Sequence, residues 1–221
     1  MLLLLLACKP PVEPSAAVDP PDPSLLLVRF TEARGGDKLV SRKSVRIEGV
    51  VTGPDSEALF TEVGTSGGHY RMDTQVRGKP FVVACDGDTG WTWQGISPVL
   101  MDPIEQRAAC SSVDLWAPIE GELRSMGAER VAGHDAWRVD VEEMGQPARS
   151  FWFDQDSYLM VARAWRVGGV QVREDLLDWQ DQEGILMPST VVSAQSGLSF
   201  EKRSVTWDVE DLPEFSMPDA W

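Results

Sequence analysis

The sequence predicts a mainly β protein in which short antiparallel strands follow one another and helices interrupt them at two points. Hydrophobic residues make up 43% of the 221 residues, enough for a sizeable core. From residue 45 onward, apolar and polar residues alternate with period two, as in VRIEGVVT (45–52). Turn residues such as Gly53-Pro54-Asp55 separate the alternating runs. An antiparallel meander of this length is expected to curl or close.

The chain opens with MLLLLLACKPPVEP, an apolar run that stops abruptly and is followed by proline. A transmembrane helix needs about 20 apolar residues, so five leucines are too few. They match the apolar part of a secretory signal whose basic start would lie further upstream. Leu5-Leu6-Ala7-Cys8 resembles the bacterial lipobox. We therefore expect residues 1–7 to be the remnant of a lipoprotein signal peptide and Cys8 to carry lipid. The alternative is a chance leucine-rich start on a cytoplasmic protein.

Residues 8–23 are expected to join the lipid anchor to the folded domain. After Cys8, the stretch KPPVEPSAAVDPPDP (9–23) is rich in proline and charge and shows no period. Such a composition is typical of an extended, semi-rigid spacer. The folded domain is therefore expected to occupy residues 24–221.

Two segments have helical signatures. Ser24 is expected to cap a short helix, LLLVRFTEAR, that ends at Gly35-Gly36. A second helix is expected over 103–116, because Asp102-Pro103 places a capping residue before a proline at the first helical position. The face of the first helix that should turn to the core carries Leu26, Phe30 and Ala33.

The remaining alternating segments are expected to be strands, about 10 or 11 in all. Five precede the second helix and six follow it: 45–52, 57–64, 69–76, 80–85, 91–94, 136–142, 149–154, 158–167, 170–179, 186–195 and 198–209.

Composition and motifs argue against several classes of function. The net charge of −15 disfavours nucleic-acid binding, because an acidic surface repels phosphates. The two histidines, His69 and His134, have no clustered ligands around them, so no metal site and no cofactor are expected. GTSGG (64–68) lacks the lysine and the helix of a phosphate-binding loop. No G-x-S-x-G elbow is present either, so we expect no enzyme. A hydrolase with an unrecognised site remains one alternative.

Two further cysteines, Cys85 and Cys110, remain once Cys8 is assigned to the lipobox. Disulfides persist in the compartments that exported proteins reach, so a Cys85–Cys110 bridge is a reasonable expectation. Two buried free thiols are the alternative.

Several stretches, in order, resemble one family. GGDKLVSRKSVRIEG (35–49) and CDGDTGWTWQG (85–95) are similar to the entry segment and the "dG.tgW" hairpin of the LolA/LolB-like lipoprotein carrier and sorting superfamily, which includes the RseB-type regulators. Similarity to the later hairpins of this superfamily is found in AGHDAWRVDVE (132–142) and ARSFWFDQDSYLMVARAW (148–165). Similarity to its C-terminal motifs is found in DLLDWQDQEGILMPSTV (175–191) and EFSMPDAW (214–221). Together, these resemblances cover most of residues 35–220.

The resemblance implies an unclosed antiparallel half-barrel, capped by two or more helices, with an apolar cavity between sheet and helices. It implies a protein of the bacterial cell envelope that binds a lipid or a lipoprotein acyl chain and faces the periplasm, anchored more readily to the outer than to the inner membrane. The alternative is an envelope-stress sensor or scaffold that binds a protein partner. Strand parity selects these cavity-lining candidates: Val45, Ile47, Val51, Tyr70, Met72, Phe81, Val83, Trp137, Val139, Phe151 and Phe153.

Overall fold

The computed structural model describes residues 19–103, 106, 119, 121–142, 148–167 and 169–218. Two helices, α1 (Pro23–Ala33) and α2 (Asp37–Ser41), precede the first strand. The expected first helix is present, but Asp22 caps it in place of Ser24. The Asp22 carboxylate accepts hydrogen bonds from the backbone N–H groups of Ser24 (2.8 Å) and Leu25 (3.3 Å), and Pro23 takes the first helical position.

Within the described residues, thirteen strands form one antiparallel sheet. Their bounds are β1 Ser44–Gly53, β2 Ser56–Thr65, β3 Tyr70–Val76, β4 Lys79–Cys85, β5 Gly90–Trp93, β6 Val99–Leu100, β7 Glu122–Val131, β8 His134–Glu142, β9 Arg149–Asp154, β10 Met160–Val167, β11 Val170–Gln182, β12 Ile185–Ser193 and β13 Ser199–Trp207. Their spatial order is β6-β5-β4-β3-β2-β1-β13-β12-β11-β10-β9-β8-β7. The first and last strands of the chain, β1 and β13, therefore meet in the middle, and the sheet is not closed into a barrel. The prediction of an unclosed antiparallel half-barrel is confirmed.

Three elements were not expected from the sequence: the short strand β6, the strand β7 and the helix α2. The strand β7 is an edge strand with one partner, and nearly all its side chains are half-buried or exposed, so it has little apolar alternation to detect. The expected helix over 103–116 falls outside the described residues, except for Pro103 and Gln106, which are helical.

The main core lies between the helices and the inner face of the sheet, the face that carries Val45 and Ile47. Leu26 and Phe30 of α1 are buried there, and the ring of Phe30 lies 5.3 Å from that of Phe153. Arg34, just after α1, is also buried, and its Nε donates a hydrogen bond to the carbonyl oxygen of Leu186 (3.2 Å). The helix is thus fixed to the inner face by both apolar and polar contacts.

The C-terminal segment, residues 208–218, crosses the outer face of β1 to β5. Outward-pointing side chains donate hydrogen bonds to its backbone: Arg46 to Asp211 (2.8 Å), Arg71 to Glu214 (2.8 Å) and the Trp91 indole to Phe215 (2.9 Å). This segment therefore covers part of the face that the helices leave bare.

Candidate ligand cavity

A cavity of about 570 Å³ opens on the inner face of the sheet, beside the main core. Strands β2 to β6 form one wall and β10 to β13 the other, because the sheet curls and brings them face to face. A volume of roughly 300–1,000 Å³ is typical of small-molecule sites. The apolar lining consists of Phe60, Tyr70, Met72, Phe81, Val83, Val99, Leu100, Met101, Trp165, Val172, Leu176, Val191 and Phe200.

The cavity ends where the main core begins. Phe60 and Leu176 line the cavity and also belong to the core, and Phe200 packs against that core. The rings of Phe60 and Phe200 meet edge to face at 5.7 Å. Phe60 reaches this position because its neighbour on β1 is Gly49: a Cβ there would lie 2.7 Å from the Phe60 ring.

Four of the residues selected by strand parity line this cavity: Tyr70, Met72, Phe81 and Val83. The structure places the other seven in the main core or packed against it: Val45, Ile47, Val51, Trp137, Val139, Phe151 and Phe153. Both groups are on the inner face, since parity determines the face that a side chain points to. Parity cannot tell which part of that face the helices cover.

Four ionisable side chains also line the cavity: Glu62, Arg163, Glu174 and Lys202. Arg163 and Glu174 form an ion pair, with 2.7 Å between Nη2 and Oε2 and 2.8 Å between Nε and Oε2. The Arg163 guanidinium also lies 5.4 Å from the centre of the Trp165 ring. Sequence reasoning missed all four. A signal was available, because Glu62 and Lys202 share the strand parity of the apolar residues Phe60 and Phe200.

The other two charged residues, Glu62 and Lys202, lie on the two strands that flank β1. Glu62 on β2 pairs with Ile47, and Lys202 on β13 pairs with Gly49. Burial raises the pKa of the Glu62 carboxyl above its usual value, although the positive charges of Lys202 and Arg163 oppose this. Burial also lowers the pKa of Lys202 to about 8, against the opposing effect of Glu62. Each charged form is therefore less favourable in this wall than in water.

The two histidines lie outside the cavity lining. His69 stacks on Phe215 of the C-terminal segment, with ring centres 5.3 Å apart, and the Nδ1 of His134 lies 2.9 Å from Oδ2 of Asp154 at a turn. Within the described ranges, no three His, Cys, Asp or Glu side chains are grouped so as to hold a metal ion. None of the helices described is both long enough and apolar enough to cross a membrane.

Of the three cysteines that the predictions concern, the structure describes one. Cys85 is buried at the end of β4 and takes part in a disulfide. Its expected partner, Cys110, and the expected lipid attachment site, Cys8, both lie outside the described residues, so the pairing and the lipidation stay predictions.

The solved structures that share this architecture include the following three. A LolA superfamily protein from Nitrosomonas europaea is similar with a TM-score of 0.59 and 12% identity, covering 86% of this chain and 94% of its own. A DUF1329 family protein from Desulfovibrio piger gives 0.56 and 12%, covering 87% and 96%. A putative outer membrane lipoprotein-sorting protein domain from Vibrio parahaemolyticus gives 0.51 and 10%, covering 86% and 95%. No protein-family model matches the chain. No curated protein sequence matches it significantly.

At these identities the likeness establishes the fold. The chain has the open half-barrel fold of these proteins, over nearly the whole length of the matched structures. The class of protein is therefore defined by an open antiparallel sheet that curls around an apolar cavity.

Proposed function

We propose that this chain is an envelope lipoprotein that binds a lipid or a lipoprotein acyl chain in the cavity, by burial and not by catalysis. The observation that carries the proposal is the apolar cavity of about 570 Å³ on the inner face of the sheet. Each buried methylene contributes about 0.8 kcal/mol, so about ten of them contribute roughly 8 kcal/mol before the cost of association is subtracted.

The proposal includes a location. Cys8 would carry the lipid that anchors the chain to a membrane, outer more readily than inner, and residues 9–23 would hold the half-barrel away from that membrane on the periplasmic side. One fold neighbour, a putative outer membrane lipoprotein-sorting protein domain from Vibrio parahaemolyticus, supports an envelope role.

The test is native mass spectrometry of the full chain carrying Cys8→Ser, followed by organic extraction. We expect an excess mass that disappears on extraction and matches a lipid or acyl chain. Val191→Trp should remove that excess, because Val191 lines the cavity between Leu176 and Phe200. The matched control is Val192→Trp, which places the same indole on the opposite face of the same strand.

An empty cavity that also takes up no fluorescent fatty acid would contradict the proposal. The alternative, a sensor or scaffold on the same fold, would then be favoured, and it predicts a stoichiometric protein partner in crosslinked envelopes.

A further inference from the structure

The four charged side chains in the cavity wall are not needed to bury an acyl chain. Moving a charge into an apolar wall is unfavourable unless a partner compensates it. Arg163 is only 8% exposed, and Glu174, its partner across β10 and β11, compensates it directly at 2.7 Å. Because these two charges satisfy each other, they leave no net charge for a ligand to meet.

The remaining two, Glu62 and Lys202, are not compensated in this way. Both line the cavity, but among the described residues neither forms an ion pair, and the strand β1 separates them. Lys202 lies opposite Gly49, so β1 contributes no side chain beside it. Lys202 is therefore available to contact a ligand in the cavity that it lines.

Lys202 can contact an anionic group near neutral pH. Burial raises the pKa of the Glu62 carboxyl, and the positive charges of Lys202 and Arg163 oppose that shift. Lys202 has a pKa of about 8 and is mostly protonated at pH 7. Because Arg163 is paired with Glu174, Lys202 is the cation among the described lining residues that has no ion-pair partner.

We propose that the cavity is built for an amphiphile with a single anionic headgroup, which contacts the Lys202 ammonium while its acyl chain lies along the apolar wall near Met72 and Phe81. This inference rests on the proposed function and adds the chemical class of the ligand. A fatty-acid carboxylate and a phospholipid phosphate share this chemistry.

The test compares probes that differ in charge alone. Binding of cis-parinaric acid and of its uncharged methyl ester is measured by fluorescence at pH 7, with the full chain carrying Cys8→Ser. We expect the acid to bind about tenfold more tightly, as a charge-assisted contact would give. Competition by oleate and by lysophosphatidylglycerol then separates the two sources of the anion, because the better competitor carries the preferred headgroup.

Lys202→Met should abolish the preference for the acid, measured as the ratio of the affinities for the acid and for the ester. Lys79→Met is the matched control, since Lys79 is exposed and does not line the cavity. Thermal unfolding monitors whether each variant is folded. If Lys202→Met does not fold, the pH dependence of the unchanged protein decides: the preference should fall between pH 7 and pH 9 as Lys202 loses its proton.

Other titratable groups face Lys202 and enter that pH dependence: Glu62 on β2, Tyr70 on β3, Arg163 on β10, Glu174 on β11 and, at longer range, Arg34 after α1. Loss of a proton from Glu62 would also weaken binding of an anion, so Glu62→Gln is included to separate the two effects. With that variant, the decrease between pH 7 and pH 9 should persist.

The outcomes separate this inference from the proposed function. Equal affinity for acid and ester in the unchanged protein, or a preference that survives in folded Lys202→Met, would overturn the anionic class and leave acyl-chain binding intact. Failure to bind either probe would overturn the proposed function itself.

Discussion

Gly49 occupies a position on β1 that leaves no room for a side chain. A Cβ there would collide with the carbonyl oxygen of Glu201 and lie 2.7 Å from the Phe60 ring, which forms the end of the cavity. We predict that Gly49→Ala lowers the free energy of unfolding by about 1–3 kcal/mol, as overpacking does. Gly67→Ala is the control, because its Cβ would meet nothing closer than 3.6 Å. Urea denaturation measures both, and equal stabilities would contradict the close approach.

Lys202 should make stability depend on pH in a definite direction. Burial lowers its pKa in the folded chain to about 8, below the usual value of 10.5. Between these two values the unfolded chain binds the proton and the folded chain does not, so stability rises with pH across this window. We predict that the stability of the unchanged protein, relative to Lys202→Met, increases from pH 8 to pH 10. A constant difference would show that the ammonium is not buried.

For a single residue, the sequence predicts which face of the sheet the side chain points to. It does not predict which other side chains it contacts. Alternation correctly puts Tyr70 and Val139 on the same inner face, yet the first lines the cavity and the second is in the core. The difference arises from where the helices lie, which depends on contacts between distant parts of the chain. The ion pair of Arg163 with Glu174 joins neighbouring strands, and the sequence alone does not give their register.

Among the elements, helix α1 determines how much of the inner face is core and how much is cavity. Leu26 has no exposed surface, whereas the adjacent Leu25 is 48% exposed. We predict that Leu26→Ala lowers the free energy of unfolding by about 2–5 kcal/mol, since it removes buried methyl groups and leaves a void. Leu25→Ala should change it by no more than about 0.5 kcal/mol. Chemical denaturation tests this pair, and similar losses for both would contradict the packing of the helix.

The strands that the sequence predicts best are those with one buried and one exposed face. VRIEGVVT anticipates β1 (Ser44–Gly53) within one residue at each end, because its alternation reflects a two-sided environment. The strand β7 (Glu122–Val131) was missed, because most of its side chains meet water on both faces. The helix α2 (Asp37–Ser41) has five residues, too few for a helical period to show.

In the whole molecule, the sheet order explains why a cavity exists. The strands β1 and β13 pair in the middle, and the sheet remains open between its edges, β6 and β7. Helices α1 and α2 are short, so they fill only part of the concave side. No described helix covers the rest of the concave side, and apolar side chains line the cavity there. The resemblance in sequence anticipated this architecture, whereas the size and charge of the cavity required the structure.

The central claim, that an acyl chain occupies this cavity, is tested most directly by methyl NMR of methionine. The full chain carrying Cys8→Ser is labelled at its methionine methyl groups and titrated with 16-doxyl-stearic acid, whose spin label broadens nearby signals. Met72 and Met101 line the cavity, whereas Met126 is 54% exposed on the edge strand β7. We predict selective broadening of Met72 and Met101 at stoichiometric ligand. Unchanged signals, or equal broadening of Met126, would contradict the account.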